Sequence, residues 1–127
     1  MAAIPLPPIP IPASGGIGAS LSILGLLAAY SGFSAFRKAG TPVRPGDQPT
    51  KLVASGPYRI TRNPMYLGLE LVLSGVSFLT KSPFFLIPPI VFFFLINFVQ
   101  IPFEENLMSE RFGQSYAEYC KRVRRWL

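Results

Sequence analysis

A run of twenty residues without a single charge, FFLIPPIVFFFLINFVQIPF, occupies positions 84–103. A helix of this length is about 30 Å long, which matches the hydrocarbon thickness of a bilayer. Because unpaired backbone amides are too costly in lipid, such a segment crosses a membrane as a helix. The chain is therefore predicted to be an all-α integral membrane protein, a helical bundle.

Two further apolar segments, 17–36 and 64–80, are predicted to span the bilayer, which makes three transmembrane helices in one domain. The proline-rich residues 1–16 are predicted to be extended, since proline interrupts helices. Residues 37–63 are expected to form a loop. Residues 104–127 are expected to form an amphipathic helical tail, because apolar side chains recur there at helical spacing.

Only 14% of the residues are charged, against about 25% in soluble domains, and the basic ones flank the predicted spans. Six lie in the loop 37–62 and five in the tail, whereas Lys81 alone lies between the second and third spans. The positive-inside rule then predicts a cytoplasmic loop and C-terminus. Because juxtamembrane charge accounts for the net charge of +6, no nucleic-acid partner is expected.

The chain contains no histidine and a single cysteine, Cys120. Histidine bases, Ser-His-Asp triads, internal disulfides and multi-cysteine metal sites are therefore excluded, and no bound metal is predicted. Cys120 lies on the apolar face of the tail, where a buried packing role is favoured over a role as nucleophile.

Glycines recur every seven residues in the first span, at Gly18, Gly25 and Gly32. Small residues let helix backbones approach closely in lipid, where helices have no hydrophobic force between them. The spacing predicts a helix–helix contact along this face and favours it over a gap for a ligand.

The stretch SGPYRITRNPMYLG at 55–68 precedes the second span. Its Asn63-Pro64 pair predicts the start of a helix, since asparagine is a favoured N-cap and proline suits the first turn. The next two amides would point out of the positive end of the helix dipole, where an anion can bind. Arg59 and Arg62 stand just before it. Their alternative role as headgroup anchors remains open.

Polar residues interrupt the apolar spans. Asn97, Gln100 and Glu104 share one helical face of the third span, which predicts that this face meets protein or a wet cavity. Glu70 is an acid inside the second span, and a role as a snorkelling interface residue is equally compatible with its position. Pro88-Pro89 is expected to kink or break the outer part of the third span.

The order of motifs resembles a known family. LVASGPYRITRNPMYLG at 52–68 is followed one span later by EENLMSERFGQSYAEYCKRVRRWL at 104–127. Together they are similar to the isoprenylcysteine carboxyl methyltransferase and phospholipid methyltransferase group of membrane enzymes, most of all to its small prokaryotic members. The resemblance covers about residues 37–127. It implies methyl transfer from S-adenosylmethionine to a lipophilic acceptor, in a bacterial or archaeal cytoplasmic membrane rather than the endoplasmic reticulum.

The resemblance also implies roles for individual residues. The cofactor-binding set is Leu52, Val53, Tyr58, Asn63, Pro64, Met65, Tyr66, Glu104 and Glu105. Residues expected to assist the reaction are Glu104, Glu70 and Arg62, because only a protonated acceptor requires a base. Asn97 and Gln100 are expected to bound a path for a lipophilic substrate, with membrane lipids around the protein.

The chain departs from the pattern of this group at two residues. Asn63 replaces the commoner histidine, and Gln100 stands near the arginine with which eukaryotic relatives meet a carboxylate, so a neutral or amine-bearing acceptor is favoured. The short N-terminal part suggests association with a second copy or a partner subunit. Two other interpretations stay open: a non-catalytic membrane subunit or scaffold, and a protein that binds the cofactor or lipid without transfer.

Overall fold

A computed structural model of the chain describes residues 14–41, 50–80, 82 and 84–127. All secondary structure within these residues is helical, as predicted, and none of it is strand. The elements in chain order are α1 (Ser14–Ala39), a short 3₁₀ turn (Gly56–Arg59), α2 (Pro64–Thr80), α3 (Ile87–Leu95), a π-helical turn (Ile96–Gln100), α4 (Ile101–Phe112) and α5 (Gln114–Arg122).

Helices α1 and α2 pack antiparallel through glycines on both sides. A Cβ atom added at Gly25 would lie 2.5 Å from the carbonyl oxygen of Gly68, and one added at Gly18 would lie 2.7 Å from that of Gly75. The predicted helix–helix contact of the first span is therefore confirmed. Its partner is a second pair of glycines seven residues apart, which lets the two backbones touch.

Replacing Gly68 with alanine is expected to destabilise the protein, because the added methyl group would overlap the α1 backbone at Gly25. Overpacking costs roughly 1–3 kcal/mol and here exceeds the gain of about 1 kcal/mol in helix propensity. Gly16→Ala is the matched control, since a Cβ at Gly16 has nothing within 4 Å. Thermal unfolding in detergent measures both variants, and equal midpoints for the two would contradict the close approach of the helices.

The third apolar segment is one continuous helical stretch, made of α3, the π-helical turn and α4. It begins at Ile87, not at the predicted position 84, and Pro88-Pro89 occupies its first turn, so the predicted interruption is a helix start and not a kink. Proline fits a first turn because its missing N–H has no helical partner there. The irregularity lies instead at the π-helical turn, and the stretch continues past 103 to Phe112.

The other predicted boundaries also shift. The first helix covers Ser14–Ala39 where 17–36 was predicted, so the end of the predicted extended segment and the start of the predicted loop are helical. The remainder of the proline-rich segment, residues 1–13, and loop residues 42–49 lie outside the described part of the chain. Helix α2 has the predicted bounds.

The tail forms a small core beneath the helix ends. Gly113, with φ of 54°, ends α4, and α5 then turns its apolar face inward. The buried side chains of this core are Val53, Tyr58, Tyr116, Tyr119 and Val123. Cys120 packs against this core, as predicted, but is half-buried rather than fully buried.

Most apolar side chains of the long helices face outward, as in a membrane protein. Within the described residues, the helical segments Gly15–Ala39 and Ile87–Phe112 are long and apolar enough to cross a bilayer, and Pro64–Thr80 is a shorter apolar helix. Leu27 and Phe98, for example, are more than 60% exposed. Because such surfaces are unfavourable in water, they are suited to lipid contact.

Candidate functional site

A polar cluster joins the start of α2 to the end of the third apolar stretch. The Tyr66 hydroxyl donates a hydrogen bond to Glu104 Oε1 across the two helices. The Gln100 side chain, one turn before Glu104, interacts with both groups. All three side chains are half-buried. The structure thus brings together three of the residues singled out in the sequence.

Glu105 faces a different set of partners. Its carboxylate accepts hydrogen bonds from Arg125 Nη2 at 2.6 Å and Nε at 3.1 Å, and from Arg62 Nη1 at 3.1 Å. Arg62 Nη1 also lies 3.0 Å from the Sγ atom of Cys120. Glu105, whose cofactor-binding role stays a prediction, forms a bridge between two arginines in this structure.

The residues after α5 form a C-terminal arm (residues 123–127) that lies against the segment before α2. The Arg62 N–H donates to the Arg124 carbonyl at 2.9 Å, and the Asn63 Nδ2 group donates to the Arg125 carbonyl at 2.9 Å. Thr61 Oγ1 donates to the same Arg125 carbonyl at 3.2 Å. The Asn63 side chain, predicted as a helix cap and cofactor residue, thus fastens the C-terminal arm.

Three predicted cofactor residues belong to the small core. Val53 is buried, Leu52 packs against it, and the Tyr58 ring stacks on Phe36 with centroids 5.1 Å apart. The Tyr58 carbonyl accepts a hydrogen bond of 2.7 Å from the Tyr119 hydroxyl. Burial raises the pKa of Tyr58 well above its ordinary value and that of Tyr119 to about 12, so both phenols stay neutral.

The first residues of α2 face α1. A Cβ atom added at Gly32 would lie 2.9 Å from side-chain atoms of both Pro64 and Met65, and 3.2 Å from the Met65 backbone nitrogen. Pro64 is fully buried there. The side chains of Pro64 and Met65 therefore serve helix packing, and Gly32 allows the helix end to come this close.

Asn97 and Glu70, both predicted near the substrate, have contrasting surroundings. The Asn97 side-chain oxygen accepts hydrogen bonds of 3.0 Å from Arg125 Nη1 and of 3.0 Å from Trp126 Nε1. Glu70 Oε2 is buried without a hydrogen-bond partner, and within the described residues the same holds only for Arg62 Nε. In the described part of the chain, these two atoms are therefore the buried polar groups that the protein leaves unpaired.

Sequence reasoning missed the roles of Arg125, Trp126 and Pro102. The two residues of the C-terminal arm were counted only as part of a basic tail, yet they contact the middle of the third apolar stretch. The available signal was Pro102, because a proline inside a predicted helix removes one N–H and leaves a carbonyl that needs another donor.

The fold and the site together define a helical membrane protein with a polar cluster where α2 begins and the third apolar stretch ends. Comparison with known sequences names its family. A sequence model of the phospholipid methyltransferase family matches residues 14–115. The chain belongs to this family of membrane methyltransferases, which confirms the resemblance found in the motifs.

Two of three similar proteins carry methyltransferase names. Protein-S-isoprenylcysteine O-methyltransferase B of Arabidopsis thaliana is 34% identical over 73 residues, which are 58% of this chain and 37% of that protein. A Haemophilus influenzae protein without an assigned function is 36% identical over 63 residues, its full length. A probable protein-S-isoprenylcysteine O-methyltransferase of Oryza sativa is 29% identical over 73 residues, 38% of its length.

The match to the plant enzymes is partial. It spans under two fifths of their length, so their activity as whole proteins does not carry over directly. No solved structure is significantly similar to this chain.

Proposed function

We propose that the protein transfers the methyl group of S-adenosylmethionine to a lipophilic acceptor that enters from the surrounding lipid. The observation that carries the proposal is the Tyr66–Glu104 pair, which joins two helices within the region that matches the methyltransferase family. A carboxylate at this junction is available for a cationic or hydroxyl-rich ligand, whereas the neighbouring Glu105 is engaged by two arginines.

The residues present fit the chemical groups of this cofactor. S-adenosylmethionine supplies an electrophilic methyl group on a sulfonium centre and carries an ammonium, a carboxylate and ribose hydroxyls. Glu104 suits the ammonium or the hydroxyls, since charge-assisted hydrogen bonds are the stronger ones. Arg62 Nε, a buried donor without a partner in the described structure, suits the carboxylate. The aromatic ring of Tyr66 suits a cationic group beside it.

Positioning and exclusion of water would provide most of the rate, because methyl transfer needs no covalent enzyme intermediate. An acceptor that loses a proton needs a base in addition. Glu70 lies one helical turn beyond Tyr66, and its unpaired Oε2 is available for that proton. Gln100, next to Glu104, is uncharged, which favours a neutral or amine-bearing acceptor over a carboxylate.

The polar cluster is proposed to lie at the cytoplasmic face of the membrane. The basic residues before α2 and in α5 and the C-terminal arm support this orientation. In this orientation, the polar ends of α2 and of the third apolar stretch would face the cytoplasm, where S-adenosylmethionine is available. Their apolar surfaces would face lipid.

Calorimetry with S-adenosylhomocysteine, on the detergent-solubilised protein, tests cofactor binding. We expect saturable binding with one site per chain, because one Glu104 is present per chain. The absence of any binding heat, with the protein folded by circular dichroism, would favour a non-catalytic membrane subunit.

A second assay tests the class of acceptor. The purified protein and methyl-labelled S-adenosylmethionine are incubated separately with a total lipid extract and with a soluble metabolite extract. We expect label in the lipid fraction. Label in soluble products alone would contradict the lipophilic acceptor, and label in neither fraction, despite cofactor binding, would favour binding without transfer.

A further inference from the structure

The helical hydrogen bonds change register in the middle of the third apolar stretch. The N–H of Ile101 donates to the carbonyl of Ile96, five residues back, instead of to Asn97, four residues back. The next residue, Pro102, has no N–H to give. The carbonyl of Asn97 therefore accepts no hydrogen bond from Ile101, its donor in a regular α-helix, or from residue 102, its donor in a π-helix.

The C-terminal arm supplies the missing donor. Arg125 Nη1 donates to the Asn97 backbone carbonyl at 3.2 Å and to the Asn97 side-chain oxygen at 3.0 Å. Trp126 Nε1 donates to the same side-chain oxygen at 3.0 Å, and the Trp126 ring packs on Phe93 with centroids 5.4 Å apart. A carbonyl inside an apolar segment is costly when unpaired, so this contact stabilises the π-helical turn.

The same guanidinium group also holds the residue that follows Glu104. Arg125 Nη2 and Nε bind Glu105 at 2.6 and 3.1 Å. One guanidinium group therefore contacts Asn97, which precedes Pro102 in the helix, and Glu105, which follows it. A π-helical turn accommodates one extra residue, and its loss would rotate the residues after it by about 100° relative to those before it. Glu104, which follows the turn, depends on that register to face Tyr66.

We infer that Arg125 is a positioning residue for the candidate site: by replacing the N–H that Pro102 lacks, it holds the π-helical turn and thereby points Glu104 at Tyr66. The inference rests on the proposed function, because Glu104 is taken there as the cofactor-binding carboxylate. The C-terminal arm thus has a role in holding the π-helical turn, and that role depends on Pro102 in α4.

The test is a double-mutant cycle of Arg125→Ala and Pro102→Ala, read by S-adenosylhomocysteine affinity. Arg125→Ala is expected to weaken binding about tenfold, because a displaced Glu104 would lose its charge-assisted contact with the ligand. Pro102→Ala alone is expected to bind as wild type. In the double variant, the alanine N–H replaces the guanidinium as donor, so we expect at least a partial return of affinity. Arg124→Ala removes the same charge from an exposed neighbour and serves as the control.

Fluorescence of Trp126, the one tryptophan in the chain, gives a second readout that needs no ligand. Acrylamide quenching is expected to rise in Arg125→Ala and to fall again in the double variant. Equal affinity and equal quenching in Arg125→Ala and wild type would overturn the inference, as would a double variant no better than Arg125→Ala in both measurements. If the wild type binds no cofactor, the proposed function fails, and the quenching cycle alone then decides the role of Arg125 in holding the π-helical turn.

Discussion

Glu104→Gln is expected to bind S-adenosylhomocysteine at least about tenfold more weakly than wild type and to lose most methyl transfer. The substitution keeps the size of the side chain and its place beside Tyr66 but removes the charge. Losing a charge-assisted hydrogen bond at a half-buried position costs roughly 1.5–3 kcal/mol, and that energy sets the expected change in affinity. Calorimetry measures the affinity, and the labelled-methyl assay measures transfer.

Glu110→Gln is the matched control for this prediction. It makes the same chemical change in the same helix, α4, at an exposed position. We expect it to bind and react as wild type. If Glu104→Gln also binds like the wild type, the carboxylate of Glu104 does not contact the cofactor, and the site assignment is wrong at its central residue.

Glu105→Gln is expected to lower the free energy of unfolding, whereas Glu104→Gln is expected to lower ligand affinity. Its carboxylate neutralises Arg62 and Arg125, and without it two partly buried guanidinium groups lose their counterion. Breaking a fully buried ion pair costs roughly 3–5 kcal/mol, and since Glu105 is 23% exposed we expect about 2–3 kcal/mol. The thermal midpoint in detergent should fall by roughly 5–10 °C.

Glu118→Gln provides the comparison for this loss of stability, because Glu118 is exposed in α5. Trp126 quenching should also rise in Glu105→Gln, since the C-terminal arm loses its strongest ion pair. A midpoint equal to that of Glu118→Gln would show that the two-arginine bridge adds nothing to stability.

The two adjacent glutamates illustrate where sequence reasoning stops. The motif placed both acids at one helix end, and its resemblance to a methyltransferase family assigned both to the cofactor. Successive residues on a helix point about 100° apart, so the two side chains must face different neighbours. Which of them meets Tyr66 and which meets the arginines depends on the π-helical turn and on the C-terminal arm, and neither is encoded in local spacing.

The stretch at 55–68, which leads into α2, shows the same division between local and distant contacts. Its Asn63-Pro64 pair does start a helix at Pro64, as local propensity predicts. Yet Pro64 and Met65 pack on α1 near Gly32, and Asn63 reaches the C-terminal arm. These partners are distant in sequence, so no short-range pattern in the stretch reveals them.

The sequence by itself determined the helical class, the apolar segments and the glycine face of α1, because each follows from composition and from periodicity within one segment. It also determined the family, through motifs long enough to be specific. The tertiary structure alone decided that Glu104 faces Tyr66 while Glu105 binds Arg62 and Arg125. The physical reason is that both arrangements rest on contacts between residues far apart in sequence, such as the hydrogen bond that Arg125 donates to the Asn97 carbonyl 28 residues earlier.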